Sequence, residues 1–366
     1  MSVSVSSKIT SLQYILMNSG LQVSVFFLAL PRILAEQAGT DGWISLLIGW
    51  MITVAASLIV VKIMAKYPEG TLLDLLTHYG GKWAGRTAAV CLLLYLFYFG
   101  YSCLVQTAMI TKEWLLPQTS AYMIILLLLI PTYIVAISGI RIIGRYAEIV
   151  TLVSLWIPLV YLLPLKESHW LHLLPIAGEG WQPIGAGVPY SLYCFLGFVS
   201  TFIFYPFLQN KSQASMAITV SNSLTLLAHL FVTIVCYVYF SPDEIREYNE
   251  PAINVLKIIE FKFIERIEVI FIAFYLLVFS LGWIPALYIC AYCTNWLRNT
   301  QAERNHVRFF CVLLAIGSFF FIPNFHQNER IEQIFLRLGI LIEYILPIFL
   351  LIYISVHDRY SGRKRV

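Results

Sequence analysis

Charge is scarce in this chain. Asp, Glu, Lys and Arg make up 12% of its 366 residues, whereas 59% are hydrophobic. A soluble protein of this length could not bury so much apolar surface, so lipid is the solvent for most of it. A basic block is also missing: the Lys and Arg are scattered between apolar spans, which excludes a nucleic-acid-binding arm. The first apolar segment is too long for a signal-peptide core and lacks a small-residue cleavage site, so a retained helix is expected. P-loop, nucleophile-elbow and HExxH patterns are absent, and no enzyme chemistry is expected. His169 and His172 read as two loop histidines rather than metal ligands, and neither metal nor cofactor is expected. The seven cysteines lie in or beside apolar spans and read as small packing residues. Cys290 and Cys293 form a CxxC without the second pair that a metal site would want.

What the chain does have is hydrophobic length. At about 18–25 residues per crossing, ten spans are expected: 9–35, 43–65, 87–111, 121–139, 146–165, 188–208, 215–240, 267–294, 307–322 and 334–356. With both termini cytoplasmic, fifteen of the 24 Lys and Arg fall on the inner face and nine on the outer, which orients the chain. Two longer connections read as interfacial amphipathic helices. One is 68–81 on the inner face. The other lies within 242–268 on the outer face, with Ile253, Leu256, Ile259, Phe263 and Ile267 at helical spacing. The whole of 1–366 reads as one transmembrane domain with short cytoplasmic tails. Five spans occupy 8–165 and five occupy 187–356. An odd number per half gives the halves opposite orientations, a five-plus-five inverted repeat.

Spans one and six then head the two halves, and both carry residues a plain anchor does not need. The first reads Asn18-Ser19-Gly20-Leu21-Gln22-Val23-Ser24 before Leu30-Pro31. The second reads Phe195-Leu196-Gly197-Phe198-Val199-Ser200-Thr201 before Tyr205-Pro206. Matched interruptions of this kind point to a binding site near the bilayer midplane, where half-helix ends attract charged groups. The candidate ligand-binding residues are Ser19, Gly20, Gln22, Ser24, Gly197, Phe198, Ser200 and Thr201. Tyr98, Tyr101 and Ser102 join them on one face of span three, and Ser280 and Trp283 beside Pro285 in span eight. Small residues at these places also suit close helix packing, and the tyrosines also suit plain packing. Glu343 and His229 fall near the centres of spans ten and seven and are the candidate intramembrane ionisable groups; interhelical hydrogen bonding is the plainer role for each.

Several short motifs resemble one family in their order and spacing. They include Leu28-Ala29-Leu30-Pro31-Arg32, Tyr67-Pro68-Glu69-Gly70-Thr71, Gly81-Lys82-Trp83-Ala84-Gly85, Leu173-Leu174-Pro175-Ile176 and Gly178-Glu179-Gly180. Phe195-Leu196-Gly197-Phe198, Tyr205-Pro206-Phe207, Ser241-Pro242-Asp243-Glu244-Ile245 and Phe263-Ile264-Glu265-Arg266-Ile267-Glu268 follow. The chain resembles the B subunits of GerA-type spore germinant receptors, within the amino acid/polyamine/organocation transporter superfamily. The resemblance implies an all-α, ten-helix LeuT/APC-like fold in the inner membrane of a bacterial endospore, with both termini on the core side. It implies a germinant-sensing role: a small amino acid or sugar between spans one, three, six and eight, signalled to A-type and lipoprotein C-type receptor subunits. One departure stands out. Where family members carry a GxG seven and five residues before the span-one Pro, this chain has Ser24 and Phe26, which narrows the pocket or moves the unwound point to Ser19-Gly20. An amino-acid transporter of the same fold is the alternative, since fold does not fix function.

Overall fold

The computed structural model describes residues 8–259, 266–300 and 303–363. Among these the backbone is helical apart from connections and a single isolated bridge between Ile9 and Leu208. The longer helices are α1 (Ser11–Phe26), α2 (Leu30–Ala38), α3 (Gly42–Ala65), α4 (Leu72–Trp114), α5 (Ala121–Ala136), α6 (Ile140–Ser154) and α7 (Trp181–Tyr193). They continue with α8 (Phe198–Phe207), α9 (Ala214–Tyr239), α10 (Ile267–Arg298), α11 (Glu303–Phe320), α12 (Phe325–Gly339) and α13 (Leu346–Arg363). A π-helical segment, Ile340–Ile345, joins the last two into one rod. Six helical stretches among the described residues are each long and apolar enough to cross a membrane, and the α7–α8 pair, bent by 44°, makes seven. The remainder of the ten expected spans correspond to helices that are shorter (α1, α5) or charged at one end (α11).

Capping explains several of the boundaries. Thr10 accepts from the Gln13 N–H while the Gln13 side chain accepts from the Thr10 N–H, which starts α1. Thr71 and Asp74 form the same box at the start of α4. Gly81, at φ 79°, kinks α4 and sets off its first turns, whose Leu72, Leu73 and Leu75 are buried; a helix therefore does stand within 68–81, tied to α10 by Trp296 Nε1 donating to Asp74. The connection after α9 is tighter than the interfacial helix expected there. Pro251–Asn254 and Val255–Ile258 are two short turns with Ile253 and Leu256 fully buried, because they pack under the core rather than along its surface. Phe263, expected on the same face, lies outside the described residues.

Around the centre, α1 packs against α6, α9 and α10, α4 lies along α10, and α3 packs against α7 and α9. Gly20 permits a close approach of α1 to α10: a Cβ there would lie 2.7 Å from Leu281. That contact corrects one expectation. Span one is not unwound at 18–24; α1 runs unbroken through Gly20, and the break falls at 27–29, just ahead of Pro31. Proline at the second position of α2 is tolerated because its missing N–H is one a helix start leaves unpaired anyway.

Candidate functional site

Tyr14, Asn18 and Gln22 recur every four residues, so on an unbroken α1 they form one polar stripe. That stripe faces the break between α7 and α8. Tyr14 Oη and Thr201 Oγ1 are hydrogen-bonded at 2.7 Å, Ser200 Oγ donates to Asn18 Oδ1 at 2.7 Å, and Asn18 Nδ2 donates to the Tyr14 carbonyl. Gln22 Nε2 donates to the Phe195 carbonyl and to Asn222 Oδ1, both at 2.9 Å, while its Oε1 accepts from Thr225 Oγ1 at 2.6 Å. The five side chains of this junction on α1 and α8 that carry the bonds, Tyr14, Asn18, Gln22, Ser200 and Thr201, are buried.

A backbone interrupted at membrane depth must have its polar groups met from within the protein. At the second break several of them are met by side chains from other helices. The Gly197 N–H donates to both Glu343 carboxyl oxygens at 2.9 Å, and the Val199 N–H donates to Oε2 at 3.0 Å. Tyr95 Oη donates to Oε1 at 2.7 Å. On the other side of the break, Gln22 meets the Phe195 carbonyl and Tyr344 Oη donates to the Leu192 carbonyl at 2.9 Å. Glu343 and Tyr344 are adjacent in the π segment, whose wider turn presents both toward the break. Gly197 sits at φ 124°, a left-handed geometry that a side chain would strain.

Above this junction the rings are continuous. Phe26 and Tyr193 have centroids 3.8 Å apart, Tyr193 and Phe335 5.6 Å, and Phe335 stacks on Tyr95 at 5.3 Å. Phe26 and Tyr193 also line a cavity of about 220 Å³ with Arg32, Glu36, Tyr190 and Gln333. A chain of rings thus leads from that cavity to the Glu343 carboxylate. Arg32 Nη1 donates to Glu36 at 2.8 Å beside it.

The remaining candidates lie elsewhere. Ser19 and Gly20 line a separate apolar cavity of about 500 Å³ with Phe27, Ser154, Tyr275 and Leu281, between α1, α6, α9 and α10. Ser24 Oγ donates to the Leu21 carbonyl. Tyr98 donates to the Ile331 carbonyl and Tyr101 to the Phe321 carbonyl, so both tie α4 to the last third of the chain. Ser102 is buried within α4. Ser280 bonds Tyr146 and Trp283 Nε1 donates to Thr132, both turned toward neighbouring helices. Phe198 meets Tyr344 edge-on. His229 touches both breaks: its ring lies 5.8 Å from Phe27 and 6.5 Å from Phe195, its Nδ1 bonds the Thr225 carbonyl at 2.9 Å, and its Nε2 has no partner among the described residues. Sequence reading passed over Tyr14, Tyr95, Tyr193 and Phe335. For Tyr14 a signal existed, its four-residue spacing to Asn18 and Gln22; for the other three, set in apolar spans, none did.

The family model for "Spore germination protein" matches residues 8–331. The chain belongs to the spore germination protein family. Relatives in that family include spore germination protein GerQB of Bacillus cereus, 24% identical over 253 residues, 69% of this chain and 70% of that one. Spore germination protein A2 of Bacillus subtilis (strain 168) is 24% identical over 322 residues, 86% of each chain. Among solved structures, that of MhsT in complex with L-phenylalanine superposes with a TM-score of 0.63 at 11% identity, over 94% of this chain and 88% of that one. The nucleobase-cation-symport-1 family transporter Mhp1, in a closed conformation with bromovinylhydantoin bound, gives 0.58 at 13% identity, over 94% and 78%. This spore germination protein therefore has a multi-pass, transporter-like helical fold.

Proposed function

We propose that this chain is the nutrient-sensing subunit of a germinant receptor in the inner spore membrane. In this reading ten crossings form two inverted halves, with both termini on the core side. The nutrient enters by the cavity beside Arg32 and Glu36 and reaches the α7–α8 break once Phe26 and Tyr193 part. The observation that carries the reading is the closed junction itself. α1, α8 and the π segment meet through Gln22, Gly197, Ser200 and Glu343, so a ligand that parts them shifts the population of a second conformer. A-type and C-type subunits would read that shift, and no catalytic step is involved.

The transporter-fold likeness favours a second reading, an amino-acid transporter that moves its ligand. One experiment separates the two. Spores lacking the gene are exposed to single nutrients while dipicolinate release is recorded, and growing cells are assayed for uptake of labelled amino acids. Loss of response to one nutrient, restored by the wild-type gene but not by G197W present at normal abundance, is expected. An unchanged germination profile with reduced uptake supports the transporter instead.

A further inference from the structure

The α7–α8 break leaves the N–H groups of Gly197 and Val199 without helical partners in the middle of the fold, and the chain fills them with its own carboxylate. Glu343 is 1% exposed. Every group bonded to it donates: two backbone N–H groups and the Tyr95 hydroxyl. Accepting only is the part of an ionised carboxylate. The four salt bridges among the described residues involve other groups, so its charge is met by oriented N–H and O–H dipoles rather than by a cation. A buried carboxylate without donors is costly, and so are unpaired N–H groups at membrane depth. Each relieves the other.

We propose that Glu343 is a built-in substitute for a ligand's carboxylate, holding the anion position of the broken helix. A ligand at this break is thereby restricted to a neutral or cationic small molecule, such as a sugar or an amine. A second carboxylate would find both N–H groups taken and would meet like charge where the surroundings screen little. A hydroxyl or ammonium group would instead find room for one more donor, since three hydrogens, that of Gly197 shared between both oxygens, meet the roughly four lone-pair sites of the carboxylate. The ligand class rests on the sensing reading above; the occupancy of the break by Glu343 does not.

The test uses the purified full chain in detergent, with thermal unfolding of wild type, E343A and E343Q followed in sodium acetate, in sodium chloride of equal ionic strength, and in acetamide. E343A should melt below wild type and regain most of the loss saturably with acetate, not with acetamide, while wild type shows no acetate-specific shift. A folded E343A indifferent to acetate overturns the proposal, as does an equal acetate shift in wild type, because the anion position would then be open. If E343A does not accumulate, E343Q carries the test. Its amide –NH2 would oppose the Gly197 N–H, so it should melt below wild type; melting at or above wild type overturns the proposal. For the ligand class, L-alanine should raise the melting temperature of E343A and leave wild type unchanged, and protection of wild type overturns the restriction. None of these readouts involves germination, so they stand or fall apart from the spore phenotypes.

Discussion

The two helix breaks share a sequence pattern but are built differently. At 27–29 the backbone stays in ordinary helical territory: Phe27 has φ −50° and ψ −41°, and Ala29 has φ −96° and ψ −15°. Its surroundings are mostly rings. Phe27 stacks on Tyr275 at 5.3 Å and meets Tyr161 and His229 edge-on. Carbonyls near it are met by Tyr275 Oη, which donates to Val23, and by the Ala252 N–H, which donates to Leu28. The break after α7, by contrast, turns through a left-handed glycine and is tied down by an acid, an amide and a phenol. The first is covered by packing and the second is held by polar bonds. Perturbations should therefore act on them with different sizes and by different routes.

The largest difference is expected in the backbone. Gly197→Ala places a Cβ in left-handed geometry and 3.0 Å from Leu21 Cβ, at a cost of about 3 kcal/mol in stability. Ala29→Gly, at the other break, should cost under about 1 kcal/mol. Thermal unfolding of both variants checks the contrast, and equal losses would erase it.

Next comes the polar stripe. Gln22→Leu takes the partner from the Phe195 carbonyl, Asn222 and Thr225 at once, and should cost about 2 kcal/mol. Tyr275→Phe removes one bond beside the first break while keeping its ring contacts, so about 1 kcal/mol is expected there. Denaturation of the two single variants and the double variant should show additive losses if the breaks are independent.

The smallest effect is one of pH. Glu250 starts the short helix, Pro251–Asn254, that covers the first break. Burial, with the nearby Glu113 charge, raises its carboxyl to about 7 against the opposing pull of Arg32. In an unfolded chain it would titrate near ~4.3. Between those values the folded state holds more proton than the unfolded, so this group's contribution to stability falls as pH rises through that window. Glu250→Gln should flatten the fall, as melting temperatures measured from about pH 4.5 to about pH 7.5 would reveal.

Legibility followed the kind of evidence each feature leaves. Gly197, Ser200 and Thr201 lie where the second interruption was read, because a glycine inside an apolar span ahead of a proline marks a bend on its own. The first interruption was misplaced. Ser19-Gly20 looks like the same mark, yet Gly20 exists for the approach of Leu281, a contact 261 positions away in the chain. Tyr98, Tyr101, Ser280 and Trp283 have the composition of a pocket wall, and only their partners, the Ile331 and Phe321 carbonyls, Tyr146 and Thr132, give them other bonds. Glu343 and His229 were visible as polar residues in apolar spans, but neither lies on an interrupted helix, and their contact with the breaks is tertiary.

By itself the sequence determined the solvent, the family and a few helix starts, such as those at Thr10 and Thr71, because hydrophobic length, motif order and capping residues are local. Only the tertiary structure decided which polar groups meet. Glu343 closes the break at Gly197 from 146 residues away, since a backbone interrupted in lipid must find its partners wherever the packed helices bring them.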